Sequence, residues 1–175
     1  MQRLEPNETI VFQDETGFTL HPRLGFDWAR RGERLHVPTT SQHHTRLILS
    51  GWVAPLLGRY GMIRTEHGNR EGFLAALRDL YRRLRERQIT LYVDGSGWQK
   101  GLPVREFLRT HPRLHLEYLP PYQPALNMQE RIWRRIRYKA TTNCWFASLN
   151  DIWDTVQRTT DAWTPRKLQR LCNFT

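Results

Sequence analysis

Ile89-Thr90-Leu91-Tyr92-Val93-Asp94 is a run of β-branched, aliphatic and aromatic residues that stops on a carboxylate. Such a run reads as a buried strand. Thr9-Ile10-Val11-Phe12-Gln13-Asp14 has the same character and also ends in Asp. Between the two lie residues 46–54 (Arg-Leu-Ile-Leu-Ser-Gly-Trp-Val-Ala), which read as a third strand. A tight turn near Pro55–Gly58 leads to a fourth around Tyr60–Thr65. Residues 70–87 are the clearest helix: Phe73, Leu74, Leu77, Leu80, Tyr81 and Leu84 recur at three- and four-residue spacing, and Asn69 is placed to cap it. Beyond Asp94 the pattern predicts a helix over 100–109, a short strand over 114–119, a long helix over 125–140 and another over 149–160. Gly17 permits a turn after the first strand, with a new strand starting at Phe18–Leu20. Residues 22–44 look irregular, with Pro22, Gly25, Gly32 and Pro38. Early strands followed by strand–helix alternation argue for an α/β fold, a mixed sheet covered by helices.

The 175 residues suit one ordinary domain, and 39% hydrophobic residues with 11% aromatics supply a core. Lys and Arg outnumber Asp and Glu 27 to 17, for a net charge of +10. That excess points to a polyanionic partner, nucleic acid first. Cys144 and Cys172 are the only cysteines and lack the spacing of a zinc site or a disulfide framework, which fits a reducing, cytosolic setting. No apolar run approaches membrane-spanning length, and the first residues carry no signal-peptide stretch.

Two strands ending in Asp place carboxylates where α/β sheets gather their sites, at the carboxyl ends of strands. Asp14 and Asp94 would meet if their strands are adjacent. Glu130 lies early in the long helix, off the stripe formed by Met128, Ile132 and Ile136 and free to look towards the end of the sheet. Three convergent carboxylates repel one another without a counter-charge. Hard oxygen ligands without Cys or His suit Mg²⁺ or Mn²⁺, and two such ions can drive phosphodiester displacement. Taken singly, each reads more readily as structural: Asp14 as a turn former, Asp94 as a strand cap before Gly95, and Glu130 as a solvated helix residue.

Three blocks resemble the bacterial insertion-sequence transposases of the mariner superfamily. Phe12-Gln13-Asp14-Glu15-Thr16 resembles the strand with that family's first catalytic Asp. Leu91-Tyr92-Val93-Asp94-Gly95-Ser96-Gly97-Trp98-Gln99-Lys100 resembles the block of the second. Tyr118-Leu119-Pro120-Pro121-Tyr122-Gln123-Pro124-Ala125-Leu126-Asn127-Met128-Gln129-Glu130-Arg131-Ile132-Trp133 resembles the long Leu-Pro-Pro-Tyr signature that carries the catalytic Glu. Asp94 and Glu130 have 35 residues between them, close to the family's separation. The Trp28…Arg31-Gly32-Glu33 segment also resembles the family, and the likeness covers roughly residues 9–160.

The resemblance implies an RNase H-like fold, a mixed five-stranded sheet flanked by helices, filling residues 1–175 as a single catalytic domain. It implies a metal-dependent DDE transposase: Asp14, Asp94 and Glu130 would bind two Mg²⁺ ions (Mn²⁺ substituting) that cleave DNA at transposon ends and join it to target DNA. DNA is the implied partner, with homo-oligomers forming on it in the bacterial, nucleoid-associated cytoplasm. Glu15 rivals Asp14, but neighbouring strand residues face opposite ways, and the family's pattern favours Asp14. Gly95 stands where the family has Asn, Gln99 where it has His, and Met128 where it has Pro. Full-length relatives carry helix-turn-helix modules before this domain, whereas 13 residues precede Asp14 here. The expectation is a fragment, a frame-split product completed by a separately encoded N-terminal DNA-binding module, or a catalytically silent DNA-binding remnant. A related nuclease without strand transfer is the remaining alternative.

Around this site, Asn127, Arg131, Arg134, Trp98 and Lys100 are the candidate DNA contacts. Asn127, three residues before Glu130, would hold a ligand carboxylate, touch DNA or simply cap the helix. Arg131 and Arg134 flank Glu130 and would hold phosphates, and Trp98 follows the Asp94 turn. Arg82, Arg83, Arg85 and Arg87 read as ordinary surface. His43-His44 and the His111/His115 pair lack a third ligand for zinc.

Overall fold

The computed structural model describes residues 5–34, 36–41 and 44–173. Five strands, β1 (Glu8–Thr19), β2 (Arg46–Ala54), β3 (Arg59–Thr65), β4 (Gln88–Val93) and β5 (Leu114–Tyr118), form one sheet in the order β3-β2-β1-β4-β5. β1 pairs parallel with β4, β4 parallel with β5, and β2 antiparallel with β3. This is the mixed five-stranded sheet of the expected RNase H-like fold. The central pairing sets Val11 beside Leu91 and Phe12 beside Tyr92. The two strands therefore run the same way; Asp94 follows the end of β4 as expected, whereas β1 does not end on Asp14 but continues to Thr19.

The chain divides into two compact units, one of Met1–Thr16, Ile48–Ile132 and Thr164–Thr175, the other of Gly17–Leu47 and Trp133–Trp163. In the first, helices α1 (Arg70–Arg83) and α2 (Leu102–Thr110) pack on the sheet. Phe73, Leu77 and Leu80 of α1 and Val104 and Phe107 of α2 share one core with Val11, Leu91, Val93 and Trp52. Each such side chain removed from water contributes roughly 1.5–3 kcal/mol. Asn69 caps α1 as expected, accepting the Gly72 N–H at 3.0 Å. Across β2–β3, Trp52 faces Gly61, where a Cβ would stand 2.6 Å from the indole, so the glycine makes room for the ring. A short helix α5 (Pro165–Leu171) also belongs here, capped by Thr164 with Pro165 in its first turn.

In the second unit, helix α4 (Leu149–Asp161) begins at a capping box between Ser148 and Asp151. It packs against the π-helical turn Arg137–Thr141 that continues helix α3 (Met128–Ile136). The irregular stretch after β1 is pinned where it starts: Asn143 bonds both the N–H and the carbonyl of Gly25 and donates its own N–H to Arg23.

Several element boundaries depart from the sequence reading. Gly17 makes no turn; β1 runs through it, because its backbone stays extended and Thr16 and Phe18 are buried on either side. α1 ends at Arg83 rather than Arg87, where the chain must turn into β4 and the Arg87 N–H bonds the Leu84 carbonyl. The helix expected from 125 starts at Met128, because Pro124 and Asn127 first form a separate 3-10 turn over Pro124–Leu126. The helix expected from 100 starts at Leu102, after Gly101 at φ +100° and a 3-10 turn over Gly97–Gln99. α5 was not anticipated, although Thr164-Pro165 carries its start signal. Both cysteines are free thiols. Among the described residues no helix is long and apolar enough to cross a membrane.

Candidate active site

The parallel pairing of β1 and β4 brings Asp14, inside β1, near Asp94, just past the end of β4, and the Pro120–Asn127 loop lies beside them. Asp14, Asp94 and Glu130 line one cleft of 380 Å³, with Gly95, Ser96 and the segment from Leu119 to Pro124. The three predicted acidic residues thus share a cavity, although they come from a strand, a strand-end turn and a helix. No Lys, Arg or His stands among the lining residues.

Each carboxylate is positioned by a different device. Asp94 follows β4 directly and is fixed by Ser96, whose N–H and hydroxyl donate to its two oxygens at 3.2 and 2.9 Å. The turn is tied off by Gln99, whose buried side-chain oxygen accepts the Gly95 N–H at 2.8 Å, while Tyr118 donates to the Gln99 carbonyl. Gly95 holds φ +84°, a left-handed conformation that Gly adopts freely and Asn better than most residues. The replacements at 95 and 99 are therefore consistent with one closed turn.

Glu130 is placed by Asn127. The Asn127 side chain is almost wholly buried, accepts the Gln129 N–H at 3.0 Å and donates to the Gln13 carbonyl at 3.1 Å. It caps α3 and ties that helix start to β1, one residue from Asp14. Both ends of its amide are engaged within the fold, as a cap to α3 and as a tether to β1.

Asp14 is the most perturbed group. Burial, then the charges of Glu130, Glu15 and Asp94, push its pKa from 3.8 to about 8. A carboxyl that holds its proton at neutral pH beside two others fits a site for a divalent cation, and the donors around it are all hard oxygens. Among the described residues no group of three His, Cys, Asp or Glu side chains is arranged to enclose one ion. Mg²⁺ needs no such group, since it keeps several waters and takes one or two carboxylates from the protein.

Glu15 does not line the cleft. It accepts from Gln13 at 2.8 Å and from the Trp98 indole at 3.3 Å, and burial raises its pKa. Gln13 also donates to Ser50 at 2.9 Å. Alternation along β1 thus puts Gln13 and Glu15 in one polar network and sends Asp14 to the cleft. Trp98 is engaged by that network and 37% exposed. Lys100 lies over the Tyr118 ring, 5.0 Å from its centroid, close to the Asp94 turn. Arg131 lies outside the cleft lining, where its charge reaches the buried Cys172 thiol, and Arg134 is exposed further along α3.

Sequence reasoning passed over Ser96, Gln13 and Tyr122. Ser96 had a signal, a serine two residues after an Asp at a strand end. Tyr122 is fully exposed on the cleft wall at φ +60°, a strained backbone for a non-glycine residue. His111 stacks on Phe107 and His115 pairs with Glu117 at 2.9 Å. His43 lies outside the described residues.

Comparisons with known proteins bear on the family and the fold. The sequence model of the DDE superfamily endonucleases matches residues 9–152. The "Insertion element IS630 uncharacterized 39 kDa protein" of Shigella sonnei is 28% identical over 137 residues, which are 77% of this chain and 39% of that protein. The Mos1 mariner paired end complex with Mn superposes with a TM-score of 0.72 at 18% identity, over 95% of this chain and 52% of that one. The catalytic domain of Mos1 mariner transposase gives 0.66 at 15% identity, over 96% and 77%. At these identities the likeness to Mos1 is one of fold. The chain spans 39% of the insertion-element relative and about half of the Mos1 chain in that complex.

Proposed function

This chain belongs to the DDE superfamily endonucleases, and from that premise we propose that it is the catalytic part of a transposase, with Asp14, Asp94 and Glu130 as its metal-binding catalytic residues. The observation that carries this reading is their convergence on one cleft without a protein cation. The reaction is hydrolysis of a DNA phosphodiester at a transposon end, after which the freed 3′-OH attacks a phosphodiester of target DNA. Mg²⁺, or Mn²⁺ in its place, bound as two ions by these carboxylates would activate the nucleophile and offset charge on the leaving oxygen. Ser96 fixes the Asp94 carboxylate against rotation, and the Asn127 tether sets where Glu130 enters the cleft. Asp14 must give up its proton before it can ligate, so the cleft is primed to exchange a proton for a cation. DNA is the partner, consistent with the +10 net charge, and copies of the chain assemble on it.

Mg²⁺- or Mn²⁺-dependent nicking of supercoiled plasmid by the purified chain, alongside Asp94→Ala, tests the reading. Nicking by the parent and none by the variant is the expected result. A folded, DNA-binding chain that nicks with neither metal would instead be a silent remnant of a transposase.

A further inference from the structure

The residues just before β4 look like ordinary surface in the sequence, yet the fold gathers them around a cavity. A cleft of 560 Å³ is lined by Arg59, Arg82, Arg83, Arg85, Arg87 and Glu86, with Leu57 and Leu84 at its base. Arg59 comes from β3 and the others from the end of α1 and the turn after it, so no single helix face explains the grouping. Five guanidinium groups against one carboxylate leave the lining at a formal +4.

The arginines are ordered rather than merely dense. Arg59 donates to the Arg83 carbonyl at 3.0 Å, and Arg87 to the Pro6 carbonyl at 2.7 Å. Arg82 and Arg83 share the single buried carboxylate of Asp79, at 2.9 and 2.8 Å. Arg85 reaches Glu86 only at 3.9 Å. Each guanidinium has five N–H donors, so these bonds hold Arg59, Arg82, Arg83 and Arg87 in place with donors to spare. The carbonyls at the end of α1 would repel an anion, but Arg59 covers that of Arg83 and Arg113 that of Leu84.

Position supplies the second argument. The cleft opens at the Gln88 end of β4 and the carboxylate site at its Asp94 end. Six strand residues separate them, Gln88–Val93, which is roughly 20 Å at about 3.3 Å per residue. That is about six base pairs of duplex at roughly 3.4 Å per step. Planar, multi-donor guanidinium groups suit phosphate oxygens better than any other common anion.

We infer that this cleft is a second phosphate-binding site, which grips the DNA backbone about half a helical turn from the phosphate being cut. The inference rests on the proposed action on DNA. It assigns the cleft to sequence-independent holding of the duplex, with no part in the chemistry.

The test compares Arg82→Gln/Arg85→Gln with the parent for binding of a fluorescent duplex of about 30 base pairs across a salt series. Both side chains are largely exposed, so the fold is expected to survive, which a thermal melt checks. Loss of two phosphate contacts lowers the slope of log affinity against log salt by about 1 to 2. Arg105→Gln/Arg109→Gln on α2 removes the same charge away from the cleft and should leave the slope near the parent's. Arg82→Lys/Arg85→Lys should restore most of the slope. A cleft variant that matches the parent, or is no worse than the α2 variant, overturns the inference. So does a variant that loses affinity for RNA or anionic vesicles but keeps it for DNA. Asp94→Ala reads the other site independently. A chain that nicks with an unchanged slope in the cleft variant refutes the cleft alone, and one that binds through the cleft but never nicks refutes the catalytic reading alone.

Discussion

The two ends of β4 carry opposite charge under opposite conditions. At the Gln88 end the arginines are mostly exposed, and Arg59, Arg82, Arg83 and Arg87 are bonded to carbonyls or to Asp79. At the Asp94 end three carboxylates share a cleft with no cation among its lining residues; Asp94 is exposed, whereas Asp14 is partly buried and holds its proton to about pH 8. Water and salt can screen an exposed charge, so on the inferred reading the basic end would act by the number of its charges and weaken smoothly with ionic strength. A buried charge has no such recourse and needs one specific counter-ion. On the proposed reading, density of charge would mark where a polyanion is held, and the crowding of carboxylates would mark where the metal chemistry is done.

The sharpest way to break that contrast is Glu130→Gln. The amide keeps the shape of the side chain but not its charge, so metal-dependent nicking should fall by on the order of a thousandfold, about 4 kcal/mol of barrier. DNA binding should hold or tighten slightly, because a negative charge is gone. The basic cleft should behave in reverse, with binding and its salt slope changed and the cleavage rate of bound DNA nearly kept. Parental nicking by Glu130→Gln would remove the acidic end from the chemistry.

A smaller effect tests the burial itself. The Asp14 carboxyl titrates near 8 in the folded chain against 3.8 ordinarily. Between those values the native state holds a proton that the unfolded state has lost, so stability of the metal-free protein falls as pH rises through this window. Asp14→Asn removes the group that must ionise. In chelator, it should match the parent near about pH 4 and exceed it by on the order of 1–3 kcal/mol at about pH 9. Urea unfolding at both pH values measures this, and a gap that does not widen with pH would mean that burial is not what holds the proton. Added Mg²⁺ should narrow the gap by stabilising the parent alone.

Much of this site was legible in the sequence, for identifiable reasons. Thr9–Asp14 and Ile89–Asp94 announce buried strands, and their parallel pairing places both carboxylates together, although only β4 stops at its Asp and β1 runs on to Thr19. The strand period of two separates Asp14 from Gln13 and Glu15 without further information. Boundaries set by tertiary contacts were not legible. β1 runs through Gly17 because of what buries Thr16 and Phe18, and α3 starts late because Asn127 reaches across to β1. The basic cleft was invisible for the same reason: Arg59 is distant in sequence from Arg82–Arg87, and only the fold of β3 against α1 gathers them.

Gly95 carries the least of these effects, and it decides how tightly the acidic end is built. Its φ of +84° is set by a turn pinned on both sides, through Ser96 to Asp94 and through Gln99 to the Gly95 N–H. Space is not the constraint, since a Cβ there meets Tyr118 at 3.5 Å and the Lys100 Nζ at 3.6 Å, both ordinary contacts. Only the backbone conformation then penalises a side chain. Ala should cost about 1 kcal/mol. Asn tolerates left-handed geometry better and should cost about half as much. With Gln99 already bonding the turn, Gly95→Asn should keep nicking near the parental rate, and Gly95→Ala should lose stability before activity. If Ala and Asn prove equally stable, the turn relaxes out of its left-handed geometry when a side chain is added. Asp94 would then be held by Ser96 alone, and the acidic end would be as adaptable as the basic one.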